Sequence, residues 1–363
     1  MHSLPDPIRN ILELARWAPS GDNTQPWRFE IVDERHLVVH AFDTRDHCVY
    51  DLDGHPSQIA LGALLETLSI AASTHGMEAE FRRRPESSDL NPEYMVELVP
   101  NSQLPPHPLL SAVKCRSVQR RPMRTQSLTQ SQKAALQDAV GDLYRVSWFE
   151  GRGQRWQFAK LMFDNGKLRL TLPEAYPVHR NIIQWNSRFS EDKVPDQALG
   201  LDAMTLRLMH WVMATWQRVD FFNTYLAGHL VPRVEMDLLP GVFCAAHFAI
   251  SAPKPPETVD DYVAAGRVVQ RFWLTATSLG LQLQPEMTPL IFSRYIRENR
   301  TFSALPSAVD FAAVLAARLP GLMKDVPVER AVFLGRIGSG PVAVSRSLRL
   351  PIDRLTGAGQ RKS

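Results

Sequence analysis

The sequence has 363 residues, of which 44% are hydrophobic and 22% are charged, and its formal net charge is +3. This length allows one large core or two domains of ordinary size, and so mild a basic balance gives no reason to expect nucleic acid as a partner. The three cysteines form no CxxC motif, the start of the chain has no signal-peptide core, and the longest apolar stretch, 239–252, is too short to span a bilayer. We therefore expect a cytoplasmic protein with reduced cysteines and no metal site, and with no membrane as a partner.

The first predicted element is a short amphipathic helix that begins at Asp6-Pro7, a capping residue followed by proline at the first helical position. Its apolar residues recur at the spacing of one buried helical stripe: Ile8, Ile11, Leu12 and Ala15. Further elements of this half are predicted as strand 29–32, strand 37–42, helix 59–73, strand 78–81 and strand 94–99. The proline-containing stretch 104–110 is predicted to be a linker.

The loop between the first helix and the first strand, residues 18–29, reads APSGDNTQPWRF. Pro19 and Pro26 each remove a backbone donor and Gly21 permits a positive φ, so this stretch is predicted to be a shaped loop and not a helix. Between the prolines stand three short polar side chains: Ser20, Asn23 and Gln25. Such a loop can hydrogen-bond a flat ring that is rich in acceptors. The alternative is an ordinary helix-to-strand connector capped by one of its own polar residues.

A second polar motif follows the linker, where residues 114–123 read KCRSVQRRPM. Arg116 and Arg120 are four positions apart and can share one face of a helix or turn. Two converging guanidinium groups can bind a phosphate through charge-assisted, bidentate hydrogen bonds. Basic residues in a turn are also commonly just solvated, and the motif alone does not decide between these readings.

The rest of the second half is predicted to contain helices that start at residue 128 and that cover 158–172 and 201–225, strands over 241–251 and 331–334, and a flexible turn over 335–341. The helix over 201–225 carries an aromatic and apolar stripe, which is more typical of a core than of a ligand wall. The members of this stripe are Met204, Leu208, Trp211, Val212, Trp216, Val219 and Phe222.

The helix over 60–76 recurs later in the chain, over 264–280, at a constant offset. The matched pairs include Gly62 with Gly266, Ala72 with Ala276 and Gly76 with Gly280. Small residues at these positions suit a seam at which two helices approach closely. Chance similarity between two amphipathic helices is the alternative, but we favour a duplication. The fold is then α+β, with two halves related by a pseudo-twofold axis, as in a dimer fused into one chain.

The loop over 18–29 closely resembles the APSxxNxQPWxF segment of the FMN-dependent nitroreductase superfamily. In that family, one subunit of an obligate dimer places this loop against a flavin that the other subunit mainly holds. The chain resembles the fused two-domain, Acg-like members of the superfamily in particular, in which an insertion covers the flavin as a lid. The resemblance implies tandem nitroreductase-like halves, 1–103 and 104–363, that form an intramolecular pseudo-dimer, with a lid around 176–239.

The resemblance also assigns FMN contacts to four segments of this chain. The candidate residues are Pro19, Ser20, Gly21, Asn23 and Gln25 in the loop; Arg116, Val118 and Arg120 after the linker; Pro285, Glu286 and Met287 after the second repeat helix; and Arg346 and Arg349 near the end. Val118 stands where the family usually has a hydroxyl residue, which leaves only its backbone for the contact. Met287 replaces the glycine of a P-x-E-G segment that acts through backbone N–H groups. Arg349 matches the family's C-terminal tail, whereas Arg346 is one residue out of register.

Because the loop lies in the first half and the arginines lie in the second, the resemblance implies one FMN per chain, for which a monomer suffices. The implied chemistry is hydride transfer from NAD(P)H through flavin N5 to a small-molecule acceptor (a nitro compound, quinone or enone), without a dedicated catalytic side chain. The alternative is a catalytically silent protein that sequesters FMN under the lid. A specialised dehydrogenase, like the azoline oxidases of peptide tailoring, is more distant, because neither a peptide-sized cleft nor a partner is evident.

Overall fold

The computed structural model describes residues 6–324 and 326–356. The α-helices are α1 (Asp6–Ala15), α2 (His55–Ala72), α3 (Gln130–Val140), α4 (Gly151–Thr171), α5 (Ala175–Ile182), α6 (Ala203–Val212), α7 (Trp216–Tyr225), α8 (Leu230–Arg233), α9 (Leu239–Val242), α10 (Val259–Ser278), α11 (Thr288–Arg297), α12 (Pro306–Met323) and α13 (Ile352–Leu355). The strands are β1 (Trp27–Ile31), β2 (His36–Ala41), β3 (Met77–Arg83), β4 (Glu93–Pro100), β5 (Arg145–Phe149), β6 (Ile183–Gln184), β7 (Phe189–Ser190), β8 (Val194–Pro195), β9 (Ala246–Ser251), β10 (Leu281–Pro285), β11 (Ala331–Ser339) and β12 (Arg346–Ser347). Across these described ranges, no helix is both long and apolar enough to cross a membrane.

Two antiparallel sheets form the framework, which confirms the predicted α+β class. The first has the order β1-β2-β4-β3 and the second has the order β5-β9-β11-β10. In chain order, both sheets place their fourth strand between the second and the third. A helix precedes the first strand of each sheet, α1 or α3, and a long helix, α2 or α10, connects the second strand to the third.

The long helices α2 and α10 pack on each other where two glycines meet. A Cβ atom on Gly62 would lie 2.0 Å from the carbonyl oxygen of Val263, and a Cβ atom on Gly266 would lie 2.1 Å from that of Ile59. Ile59 and Val263 occupy equivalent positions of the two repeat helices, three residues before Gly62 and Gly266. The two contacts are therefore reciprocal. Only glycine lets two helix backbones approach so closely.

The ends of the two repeat helices also use glycine in the same way. Gly76 has a φ of 61° and Gly280 has a φ of 72°, both in the left-handed region that terminates a helix. The predicted cap at Gly76 is therefore confirmed, as are the elements predicted before residue 100, to within a few residues.

Each sheet covers its own hydrophobic core, and the C-terminal segment crosses back to the first one. The first core lies between β1–β4, α1 and α2, and it includes the buried side chains of Leu350, Ile352 and Leu355. The second core lies between its own sheet, α3 and α10. The division into 1–103 and 104–363 stays a prediction, and the last described residues pack into the half opposite to the one that it assigns them.

Four predictions for the second half were wrong. The helix over 201–225 is two helices, because Thr215 interrupts it and caps α7 by accepting a hydrogen bond from the Arg218 amide. The stripe on this stretch is not core, since no residue of α6 is buried and only Val219 of α7 is. The strand over 241–251 starts at Ala246, after the helical turn α9. The turn over 335–341 is mostly the end of β11, where Gly335 makes room for the Phe248 ring.

Candidate functional site

The loop between α1 and β1 has the shaped backbone that its sequence predicts, although other residues carry the strain. Asp22, Asn23 and Gln25 have φ values of 49°, 63° and 49°, a region that non-glycine residues rarely occupy. Gly21 is not among the residues with positive φ, so the role predicted for it was wrong. The Ser20 hydroxyl stabilises the loop by accepting a 3.0 Å hydrogen bond from the Gln25 amide.

This loop and the C-terminal segment form one wall. Arg349 Nη1 donates to Asn23 Oδ1 at 2.9 Å, and Arg349 Nε donates to the carbonyl oxygen of Ala18 at 2.8 Å. The Leu350 amide donates to Gln25 Oε1 at 2.9 Å. The structure therefore brings together the two parts of the predicted site that are farthest apart in the sequence.

Three arginines, Arg116, Arg346 and Arg349, cluster beside this wall. Arg116 Nη2 donates to the Trp17 carbonyl oxygen at 3.1 Å, and the Arg346 guanidinium lies 5.1 Å from the centre of the Trp17 ring. Burial, together with the charges of Arg349 and Arg346, lowers the pKa of Arg116 well below its ordinary value. Burial and the charge of Arg346 lower the pKa of Arg349 to about 9.

No carboxylate in the described part of the protein balances the positive charge of this arginine cluster. In the described part of the chain, none of the three forms an ion pair with a carboxylate. The Nε atoms of Arg116 and Arg346 are also buried without a hydrogen-bond acceptor. Buried charges without partners are costly, so the donor set fits an anionic group such as a phosphate.

Arg120 does not join this cluster. Residues 116–120 are extended, since Val118 forms a β-bridge with Leu283 and the Gln119 amide donates to the Leu283 carbonyl oxygen. Four extended residues span roughly 13 Å, so the prediction that Arg116 and Arg120 converge on one helical or turn face was wrong. The charges felt by Arg120 are those of Asp22, Arg336 and Arg169, and burial lowers its pKa to about 10.

The segment Pro285–Met287 is anchored in the protein. The Glu286 amide donates to the Leu334 carbonyl oxygen at 2.8 Å, so the prediction that this N–H faces a flavin does not hold. The buried Glu286 carboxylate accepts from Arg336 Nη1 at 2.9 Å and lies 2.7 Å from His247 Nδ1. Burial opposes the charged imidazole, but the Glu286 carboxylate and the Cys244 side chain together outweigh burial and raise the pKa of His247 to about 10. Met287 packs between several hydrophobic clusters.

A strap from the insertion, residues 188–193, lies over the loop amides. Asn23 Nδ2 donates to the carbonyl oxygens of Glu191 and Lys193, at 3.1 and 3.2 Å, and Gln25 Nε2 donates to that of Glu191 at 2.8 Å. The strap also pairs with the C-terminal segment through β7 and β12, which run parallel. The Asn23 and Gln25 side chains are thus hydrogen-bonded to protein groups, whereas among the described residues neither Pro19 nor Ser20 hydrogen-bonds the strap.

A further polar group was missed by the sequence analysis because no motif links its members. The Tyr50 hydroxyl lies 2.9 Å from His179 Nε2, and Arg169 Nη2 donates to both carboxylate oxygens of Asp237 at 2.8 and 2.9 Å. Burial and the charge of Arg169 lower the pKa of His179 to about 3, so its imidazole is neutral. The charge of Asp22 acts on Tyr50 and Arg169, and the charge of Arg169 acts on Arg120, so this group lies within electrostatic range of the loop.

Comparison with known proteins gives partial matches. No family model matches the chain. Over 86 residues it is 34% identical to the putative NAD(P)H nitroreductase acg of Mycobacterium tuberculosis, covering 23% of this chain and 25% of that protein. It is 33% identical over 96 residues to an uncharacterized protein of the same organism, covering 26% and 28%. A crystal structure of a nitroreductase-like family protein from Bacillus cereus aligns with 70% of this chain and 97% of its own, at 12% identity and a TM-score of 0.31.

The partial match to the mycobacterial acg protein confirms the resemblance to the nitroreductase superfamily that the loop predicted, over about a quarter of the chain. One similar protein, acg of Mycobacterium tuberculosis, is named a putative NAD(P)H nitroreductase. The chain matches about a quarter of the length of these curated relatives, 25% and 28%.

Proposed function

We propose that this protein is an FMN-dependent oxidoreductase of the nitroreductase type, which transfers hydride from NAD(P)H to a small-molecule acceptor such as a nitro compound, quinone or enone. The observation that carries the proposal is the arginine cluster of Arg116, Arg346 and Arg349, which lacks balancing carboxylates among the described residues and lies against the Ala18–Asn23 part of the loop. A phosphate-bearing cofactor supplies the missing negative charge.

In this proposal the arginine cluster holds the FMN phosphate, and the loop residues Pro19 and Ser20 lie beside the flavin. When bound, FMN supplies hydride acceptance and donation at N5. Asn23 and Gln25 act indirectly, because they hold the loop in its strained shape through Arg349, Leu350 and the strap. Arg120 contributes positive charge that acts on Asp22 of the loop.

We also propose that the two halves are nitroreductase-like repeats joined into an intramolecular pseudo-dimer. The equal strand order of the two sheets and the reciprocal contact of Gly62 and Gly266 support this reading. The site then takes its loop from the first half and its arginines from the second, so that each chain contains one complete FMN site.

A second candidate function is FMN storage without turnover, and the strap favours it. Residues 188–193 lie within the predicted lid and are hydrogen-bonded both to the loop and to the C-terminal segment. A strap held in this way can exclude a nicotinamide from the flavin while leaving the phosphate site intact.

The stoichiometry of FMN tests the cofactor, and anaerobic reduction separates the two functions. We expect about one FMN per chain by absorbance after reconstitution, and a loss of roughly tenfold or more in FMN affinity for Arg116→Ala. The exposed Arg354 is the matched control, and Arg354→Ala should bind FMN normally. NADPH-driven bleaching of the bound flavin identifies the oxidoreductase, whereas bound flavin that NADPH does not bleach identifies storage. A stoichiometry of two FMN per chain, or no bound FMN, would overturn both the oxidoreductase and the storage function.

A further inference from the structure

A cavity of about 180 Å³ lies where the first turns of α2 and α10 meet α11 and the start of β11. Most of its wall is apolar and is formed by Ile59, Pro255, Pro256, Leu290, Ala331 and Val332. An apolar cavity of about 150 Å³ is large enough to hold benzene. This cavity therefore has room for an apolar group of the size of one ring.

One charged side chain of the cavity lining is mostly buried and only partly satisfied. The Arg294 side chain, on α11, is 12% exposed, and its Nε donates to Asp53 Oδ2 at 2.7 Å. Its Nη2 atom is buried without a hydrogen-bond acceptor in the described part of the chain. Because buried N–H groups nearly always have a partner, this guanidinium keeps donor capacity for a ligand.

Residues at the starts of α2 and α10 hold this guanidinium in place. The Asp53 side chain is 1% exposed, and its Oδ1 accepts a hydrogen bond from the His55 amide at 3.1 Å. The His55 ring stacks on the ring of Tyr262, a residue of the cavity lining, with ring centres 3.7 Å apart. Burial lowers the pKa of His55 to about 3, so this imidazole is neutral and Arg294 supplies the positive charge.

The exposed charges of the lining are of both signs and offset one another. Arg297 and Glu329 carry opposite charges, and Glu298 lies 3.5 Å from Arg300. Selection of a ligand by charge therefore depends on Arg294. Asp53 engages this guanidinium through Nε, which leaves the Nη groups for a second carboxylate, and guanidinium groups bind carboxylates through charge-assisted hydrogen bonds.

The cavity is distinct from the arginine cluster of the proposed FMN site. Tyr262 lines the cavity, whereas the Arg116 guanidinium lies 4.6 Å from the centre of the Trp273 ring, further along the same helix. The two positions on α10 are separated by about three turns, or roughly 16 Å. A ligand in the cavity therefore contacts other side chains than a phosphate at the arginine cluster does.

We propose that this cavity binds a small carboxylic acid whose apolar body is about the size of one ring. The carboxylate accepts hydrogen bonds from the Nη groups of Arg294, and the apolar body packs against the wall that includes Ile59, Leu290 and Val332. This site does not depend on flavin or on the proposed reaction.

Isothermal titration calorimetry of the full-length protein with benzoate and with benzamide tests the proposal. The two probes have nearly the same shape, but only benzoate is charged. We expect saturable binding of benzoate with an affinity about tenfold or more above that of benzamide, because charge-assisted hydrogen bonds are the stronger ones. Arg346→Ala, in the arginine cluster, is the control for benzoate binding at the proposed phosphate site, and it should bind benzoate as tightly as the wild type.

Two variants locate the binding site. Arg294→Met combined with Asp53→Asn removes the guanidinium without leaving a buried carboxylate unpaired, and it should weaken benzoate about tenfold while benzamide changes little. Val328→Trp fills part of the cavity and should weaken both probes, which decides the question even if the double variant does not fold. Circular dichroism establishes that each variant is folded.

Three results would overturn the proposal. The first is a wild-type protein that shows no saturable binding of benzoate, and the second is equal affinity for benzoate and benzamide. The third is benzoate binding that Arg346→Ala removes and that Val328→Trp leaves intact, since the probe then occupies the arginine cluster.

Discussion

The Arg349 guanidinium donates a 2.9 Å hydrogen bond to the Asn23 side-chain oxygen, joining two residues that are 326 positions apart. On its other side, Asn23 Nδ2 donates to two carbonyl oxygens of the strap, those of Glu191 and Lys193. One buried amide therefore connects the loop, the C-terminal segment and the insertion. This arrangement explains why the loop keeps a strained backbone without help from glycine.

Replacing this amide should destabilise the protein. We expect Asn23→Ala to lower the free energy of unfolding by about 3 kcal/mol, because Arg349 and two carbonyl groups lose a buried partner. Asn186 has a φ of 56°, close to the 63° of Asn23, so Asn186→Ala controls for the backbone strain of alanine in this region. The control variant should lower the free energy of unfolding by about 1 kcal/mol. Equal losses for the two variants in urea titrations would show that the hydrogen bonds contribute nothing.

The crossing of α2 and α10 should tolerate no side chain at its centre. Gly62→Ala places a methyl group against the Val263 carbonyl oxygen, which belongs to a helix backbone and cannot rotate away. We expect a loss of about 3 kcal/mol or more, or a failure to fold. Gly321 in α12 has open space around it, and Gly321→Ala should be neutral or stabilise the protein by up to about 1 kcal/mol. Thermal unfolding of both variants checks the contrast, and a normal melting temperature for Gly62→Ala would disprove this close approach.

The ion pair of His247 and Glu286 should make stability fall at alkaline pH. The pKa of His247 is raised from 6.5 to about 10 in the folded protein. The stabilisation of the folded state by protonated His247 is therefore fully present below about pH 6.5 and is lost as the pH rises through about 10. We expect a decrease of a few kcal/mol across this window. Glu286→Gln should remove most of the pH dependence along with the stabilisation. Unfolding by urea at a series of pH values gives the comparison, and parallel pH profiles for the two proteins would refute the pair.

His179 should have the opposite effect, at acid pH. Burial and Arg169 lower its pKa to about 3, so the unfolded chain binds a proton below pH 6.5 that the folded protein does not. The free energy of unfolding therefore has its full value above pH 6.5, as far as His179 is concerned, and it declines as the pH falls toward 3. His179→Phe should reduce this decline, whereas His75→Phe, on an exposed turn, should not. The prediction fails if the two variants lose stability equally between pH 6.5 and 4.

The sequence determined the features that depend on neighbouring residues. Apolar spacing, prolines and a terminal glycine predicted the elements of the first half, and the matched glycines of the repeat predicted a close helix seam, where Gly62 and Gly266 meet. The loop over 18–29 was enough to predict the nitroreductase resemblance, because the whole motif lies within a single short segment of the sequence.

The tertiary structure alone decided which partners the polar groups take. The Glu286 amide belongs to the second sheet, Arg120 is separated from Arg116 by an extended backbone, and Asn23 is held by a strap far away in sequence. The apolar stripe on α6 and α7 has the spacing of a buried face and yet lies at the surface. Local periodicity specifies which residues share a face, but only long-range packing specifies what that face meets, since a hydrogen-bond or hydrophobic partner can come from any part of the chain.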